Sequence, residues 1–178
     1  SSNVILDAGK KGRIFEVTAA NVVLDNLTFI NNRATSEAAG IYLKATSNIL
    51  INNTLFEDNL GKAIIISSKS TNNTFYNVSF INNIGGITIS GESNSDSFVN
   101  LTFINNTVSK KGGAIYFKSI IGAYMANSTF INNTAGTGGA IYIESDSKNN
   151  QFINLIFDSN IASSDDGGAI SFEEDIVF

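Results

Sequence analysis

Carboxylates are the densest chemically capable group in this chain, and they gather near its end. Asp158, Asp165, Asp166, Glu173, Glu174 and Asp175 lie close in sequence, with Glu144 and Asp146 one repeat earlier. Asp165 and Asp166 fall in a loop, and Glu173 opens the following turn. These three make a weak candidate for Ca²⁺, a cation that takes oxygen ligands; solvated surface charge is the competing reading. No lysine or arginine lies between Asp158 and Asp175 to serve as a base. Other acids (Asp25, Glu57, Asp58, Glu92) are scattered, and the two arginines, Arg13 and Arg33, lie near the start. Inverting glycoside hydrolysis needs two carboxylates facing across a groove. Elimination from a polyuronate needs a carboxylate-held Ca²⁺ and a base to remove a proton. Neither set is visible.

The chain has no histidine and no cysteine. That excludes a Ser-His-Asp triad, imidazole metal ligands, thiolate nucleophiles and disulfides. The expectation is a protein without enzymatic activity and without a cofactor.

A second group points to recognition. Tyr42, Tyr116 and Tyr142 each occupy the middle of an apolar tripeptide: Ile41-Tyr42-Leu43, Ile115-Tyr116-Phe117 and Ile141-Tyr142-Ile143. Period-2 alternation turns the middle residue outward. An exposed tyrosine offers an apolar face and a hydroxyl, which suits sugar or protein ligands. These three are the candidate binding residues. The alternative is a cross-strand stack that only stabilises a sheet.

What must position these residues is a repeat. The pattern N-x-x-F-x-x-N recurs at Phe29, Phe56, Phe80, Phe103, Phe130 and Phe157, at intervals of 27, 24, 23, 27 and 27 residues. Repeats of this length signal a solenoid. With each Phe as position 0, position −5 holds Leu24, Ile51, Phe75, Phe98, Met125 and Phe152. Position −2 is mostly apolar and position −1 mostly Thr or Ser, the period-2 mark of a strand with one inward face. An Ile-led strand follows each Phe, starting at Ile41, Ile64, Ile87, Ile115, Ile141 and Ile170. Nothing has a 3.6-residue period, and no Asn-Gly hairpin separates the strands. Three short strands per turn predict an all-β, right-handed parallel β-helix of about seven coils, roughly 34 Å long at the usual strand spacing. The coils are a divergent first one over 1–20 and repeats at 21–47, 48–71, 72–96, 97–121, 122–148 and 149–178, forming one domain over 1–178. Proline is absent, as strands paired on both sides require.

Asn suits the bends between strands, because it tolerates left-handed backbone, and stacked Asn side chains can bond one another. Eight N-x-S/T sequons arise, at Asn26, Asn52, Asn72, Asn77, Asn100, Asn105, Asn127 and Asn132. Four coincide with position −3, expected to point inward. Position +1 carries Ile30, Ile81, Ile104 and Ile131, either an outward stripe or residues tucked into a corner. Segments flanking the Ile strands vary in length, and variable loops on a constant scaffold are where repeat proteins place recognition.

Charged residues make up 15 % of the chain and the net charge is −5, without a Lys/Arg run, so nucleic-acid binding is not expected. No apolar run reaches 18 residues and no signal peptide opens the chain. The chain begins in a strand-like pattern and stops without a polar cap, which predicts a fragment of a longer repeat protein.

Three coils carry Gly-Gly-Ala-Ile, at 112–115, 138–141 and 167–170. F-x-x-N paired with G-G-A-(I/L/V) resembles the repeat of chlamydial polymorphic membrane proteins, which are surface autotransporter adhesins. The Asn- and Ile-rich wording also resembles adhesin-like surface proteins of methanogenic archaea. The resemblance implies an extracellular, cell-surface β-helix that binds a glycan or protein of another cell, monomeric apart from end-to-end association of exposed coil edges. A structural stalk or spacer is the alternative, and a polysaccharide lyase or hydrolase of the pectin-lyase-like fold the third reading.

Overall fold

The computed structural model describes residues 4–33, 40–164 and 167–173. The alternation seen in sequence becomes three stacks of parallel strands wound into one solenoid. One stack carries the phenylalanines: Val4–Asp7, Leu27–Ile30, Leu55–Glu57, Ser79–Ile81 and Thr102–Ile104, then the second halves of Tyr124–Ile131 and Gln151–Asp158. A second carries position −5: Val23–Asp25, Leu50–Asn52, Thr74–Tyr76 and Ser97–Val99, then the first halves of the same two long strands. The third carries the isoleucines: Phe15–Val17, Ile41–Lys44, Ile64–Ser67, Ile87–Asn94, Ile115–Ile121, Ile141–Ile143 and Ile170–Phe172. Among the described residues the Ile and Phe stacks hold seven strands and the −5 stack six, between six and seven turns and close to the expected seven.

Register puts like on like. Phe80 pairs with Phe56 and Phe103, and Ile87 with Ile64 and Ile115. The rings of Phe29, Phe56, Phe80, Phe103, Phe130 and Phe157 form one continuous stack, with successive centroids 4.7, 5.1, 4.6, 5.0 and 4.9 Å apart. These spacings follow the separation of neighbouring strands. Phe29 through Phe130 are fully buried. The core is therefore a column rather than a ball, and each coil depends on the coils above and below it.

Three corners close every coil, at positions −8, −3 and +2. In all six repeats these corners have positive φ, between 46° and 65°. Most are Asn, as expected of a residue that tolerates the left-handed region; Asp58, Ser95, Gly122 and Ser159 are the exceptions.

Position −3 is the point of correction. It was expected to point inward, but Asn77, Asn100 and Asn127 are exposed and Asn26 is half-buried. The inward ladder is position +3, one residue beyond a corner. Asn59, Asn106 and Asn133 are fully buried there, and Asn83 nearly so. Each of their Nδ2 groups donates to the next rung's Oδ1 (Asn59 to Asn83 2.7 Å, Asn83 to Asn106 3.0 Å, Asn106 to Asn133 3.0 Å, Asn133 to Asn160 2.9 Å). Each also donates to a Phe carbonyl of the preceding coil, from 2.9 to 3.1 Å. A buried amide is tolerated because its bonds are made. Most sequons arise from the same geometry: at Asn72, Asn77, Asn100, Asn127 and Asn132 the corner Asn is followed two residues later by a half-buried strand Thr or Ser.

The Gly-Gly pair has a steric cause. Gly112 has φ +65°, and a Cβ on Gly113 would lie 2.2 Å from the Gly139 carbonyl oxygen of the next coil. The first glycine supplies a left-handed turn and the second lets two coils approach.

Candidate binding surface

The tyrosines lie where their spacing placed them in register. Tyr42 pairs with Ile65, Ile65 stacks through Thr88 to Tyr116, and Tyr116 pairs with Tyr142. The Tyr116 and Tyr142 rings are 6.2 Å apart and tilted by 41°. Their exposure departs from the expectation. Tyr42 and Tyr116 are half-buried, and Tyr142 is only 6 % exposed, with Thr88 and Ile65 between them also covered.

The cover is cationic and comes from the same chain. Arg13 lies 4.4 Å above the Tyr42 ring, Lys62 5.9 Å from Tyr116 and Lys111 4.3 Å above Tyr142. Each cation belongs to a segment that precedes an Ile strand, one coil or more below the ring it covers. Cations over aromatic faces are attracted by the ring quadrupole. The faces offered as a recognition ladder are thus already partly occupied.

The hydroxyls are engaged as well. Tyr116 donates to Glu144 Oε1 at 2.6 Å, Tyr142 to Glu173 Oε1 at 3.3 Å, and Ser67 donates to the Tyr42 hydroxyl oxygen at 2.8 Å. Lys111 Nζ reaches Glu144 at 3.1 Å and Glu173 at 3.7 Å. Two tyrosines, one lysine and two glutamates from three successive coils therefore form one connected cluster. Burial works against the Lys111 charge, but Tyr142 and Glu144 outweigh it and hold the ammonium well above its ordinary range. Burial and the Glu144 hydrogen bond push the Tyr116 hydroxyl up. Burial alone would raise Glu144; the Tyr116 and Lys111 bonds overcome it and hold the carboxyl below its usual value.

Of the Ca²⁺ candidates, Asp165 and Asp166 lie outside the described residues, and Glu173 is in the tyrosine–lysine cluster. Among the described residues no group of three or more carboxylates is placed to hold a metal. The position +1 isoleucines are strand residues that alternate with buried Phe; they face outward, half-buried, with Ile81, Ile104 and Ile131 in direct register.

One surface feature escaped the sequence reading. Beside the +2 corner runs a groove of about 440 Å³, lined by corner residues Asn31, Asp58, Asn82 and Asn105 and by residues just beyond them. The doublets Asn82-Asn83 and Asn105-Asn106 were its available signal: one carboxamide outside the corner, the next inside it.

A parallel three-stack solenoid with an inward Asn ladder defines the class. The family model for the right-handed β-helix region matches residues 1–108, and the chain belongs to that family. Residues 100–118, 127–144 and 154–173 each match the Chlamydia polymorphic membrane protein repeat. Each of these stretches holds one complete F-x-x-N and its following Gly-Gly-Ala-Ile. No curated protein matches the chain.

Proposed function

We propose that this chain is a cell-surface, adhesin-like β-helix that acts by binding, without catalysis, a glycan or protein of another cell. The observation that carries the proposal is the match of three successive coils to a membrane-protein repeat. A physical point supports it. The repeated Phe, Ile-strand and +3 Asn side chains are used up inside the rod, and the segments flanking the Ile strands differ from coil to coil, as a recognition surface on a repeat scaffold does. Within this reading Tyr116, the more exposed of the adjacent tyrosine pair, is the leading binding residue, with Tyr142 beside it and Tyr42 further down the same ladder.

Surface location is tested by labelling intact cells that produce the protein with a membrane-impermeant amine reagent. Lys69, whose side chain is 84 % exposed, should be modified before lysis. Labelling only after lysis contradicts the location. Absence of catalysis is tested with polyuronates and neutral glycans, with and without Ca²⁺; release of products at enzymatic rates contradicts it.

The stalk reading has one specific observation in its favour. The tyrosine faces are covered by Arg13, Lys62 and Lys111, an arrangement that stiffens a rod whether or not the rod binds anything.

A further inference from the structure

We propose that the groove beside the +2 corner is a subsite for an uncharged, extended glycan chain, laid parallel to the solenoid axis. This rests on the binding reading above and adds to it a second contact, apart from the tyrosine ladder.

The floor of the groove is a ladder of side-chain amides. Asn105 Nδ2 donates to Asn82 Oδ1 at 3.1 Å, and Asn82 Nδ2 donates to Asp58 Oδ1 at 3.1 Å. A carboxamide carries two N–H donors and an oxygen with two lone pairs. Asn82 puts one donor and one lone pair into the ladder, Asn105 one donor and Asp58 one acceptor oxygen, which leaves their other donors and lone pairs for a ligand. Asp58, Asn105, Asn31 and Lys10 all line the same groove and bring further hydrogen-bonding groups to it. Asn82 and Asn105 are solvent-exposed.

The wall is apolar. Leu60 and Ile84 line the groove and are 42 % and 49 % exposed. They occupy equivalent positions in adjacent coils, each with its backbone N–H bonded to the preceding coil's +3 Asn carbonyl, at 2.9 and 3.0 Å. A ligand that satisfies both surfaces is itself two-sided: hydroxyls that donate and accept along one edge, and a C–H face that lies against Leu and Ile. A pyranose ring has this character. Donors and acceptors recur here once per coil, about every 4.8 Å along the axis. An extended chain of pyranoses presents its hydroxyls at a comparable repeat, so successive sugars can meet successive rungs. Amides outnumber charges in the lining, and the chain is net negative. Both favour a neutral glycan over a polyuronate.

Backbone and side-chain amides of the ¹⁵N-labelled 178-residue chain are followed by NMR during titration with neutral linear oligosaccharides of four to six residues. The proposal predicts saturable shifts at Asn31, Asn82 and Asn105 for at least one linkage type, with a dissociation constant of about 1 mM. Asn82→Gly with Asn105→Gly keeps the left-handed corners and removes both carboxamides. This variant should bind at least about tenfold more weakly with a melting temperature lowered by no more than a few degrees. Unaltered binding by the variant, or no shift at these amides with any oligosaccharide, overturns the groove assignment. Shifts centred on Tyr116 and Tyr142 instead also overturn it, while leaving the surface-binding reading standing.

Discussion

The Asn83 backbone N–H and the Asn83 side chain both donate to one atom, Asn106 Oδ1, at 3.1 and 3.0 Å. This two-to-one bond locks a corner of one coil to the next, and it recurs from Asn59 to Asn83 and from Asn106 to Asn133. Asn106→Ala leaves the buried Asn83 N–H without its acceptor and opens a hole in the ladder. It should cost about 3 kcal/mol or more, since each unmet buried group costs about 1–3 kcal/mol. Asn105→Gly, one residue away on the outside of the same corner, should cost less than about 1 kcal/mol. Urea unfolding of the two variants checks the contrast, and equal losses would return both residues to one role.

The ring column gives the second expectation. Phe103 lies 4.6 Å from the Phe80 ring and 5.0 Å from the Phe130 ring, with no exposed surface. Phe103→Ala should cost about 3–5 kcal/mol through the cavity left between two fixed coils. A loss below roughly 1 kcal/mol in the same measurement is incompatible with a continuous stack.

Glycines separate into those that coils need and those they do not. A Cβ at Gly113 would meet the Gly139 carbonyl oxygen at 2.2 Å, whereas Gly12 has nothing within 4 Å of that point. Gly113→Ala should destabilise by about 1–3 kcal/mol, and Gly12→Ala should change stability by less than about 0.5 kcal/mol. Thermal unfolding of both variants measures the difference.

Two carboxylates should respond to pH with opposite signs. Asp96 takes a buried position that Asn73 fills in the coil before and Asn150 fills two coils on. Burial raises its pKa, against the hydrogen bonds from Ser93 and Asn73. A raised carboxyl favours the folded state when protonated, so its unfavourable contribution grows as pH climbs from the ordinary carboxylate value through the folded one. Asp96→Asn should therefore stabilise the chain at neutral pH, and the gain should shrink on acidification. Glu144 is held below its ordinary value. Its contribution is present above that value and is lost as pH falls through the folded pKa. Glu144→Gln should accordingly be destabilising at neutral pH and nearly neutral in acid. Chemical denaturation followed from neutral pH down through and below the ordinary carboxylate range resolves the two.

Strand positions and their stacking were legible because each coil repeats Phe, Ile and small residues at fixed offsets, and identical residues in register leave little choice of pairing. The Asn assignment was harder. N-x-x-F-x-x-N is symmetric about Phe, and nothing in that pattern shows that Asn77 is itself the bend while Asn83 lies one residue past one. The adjacent Asn82, which takes the left-handed corner and turns Asn83 inward, is what separates them. The burial of Tyr142 was not readable. Its cover, Lys111, lies 31 positions earlier, in a segment whose length varies from coil to coil. The groove depends on that same variable region, where Leu60 and Ile84 follow the inward Asn59 and Asn83.

The central claim is that an inert Asn- and Phe-filled scaffold presents a surface that binds another cell. Its most direct test is a screen of the folded 178-residue chain against a glycan array and intact cells, with its circular dichroism recorded alongside. The account predicts saturable binding to at least one glycan or cell type, with no ligand consumed. A chain that keeps its β-sheet spectrum and binds nothing on either panel would contradict the claim and leave a spacer.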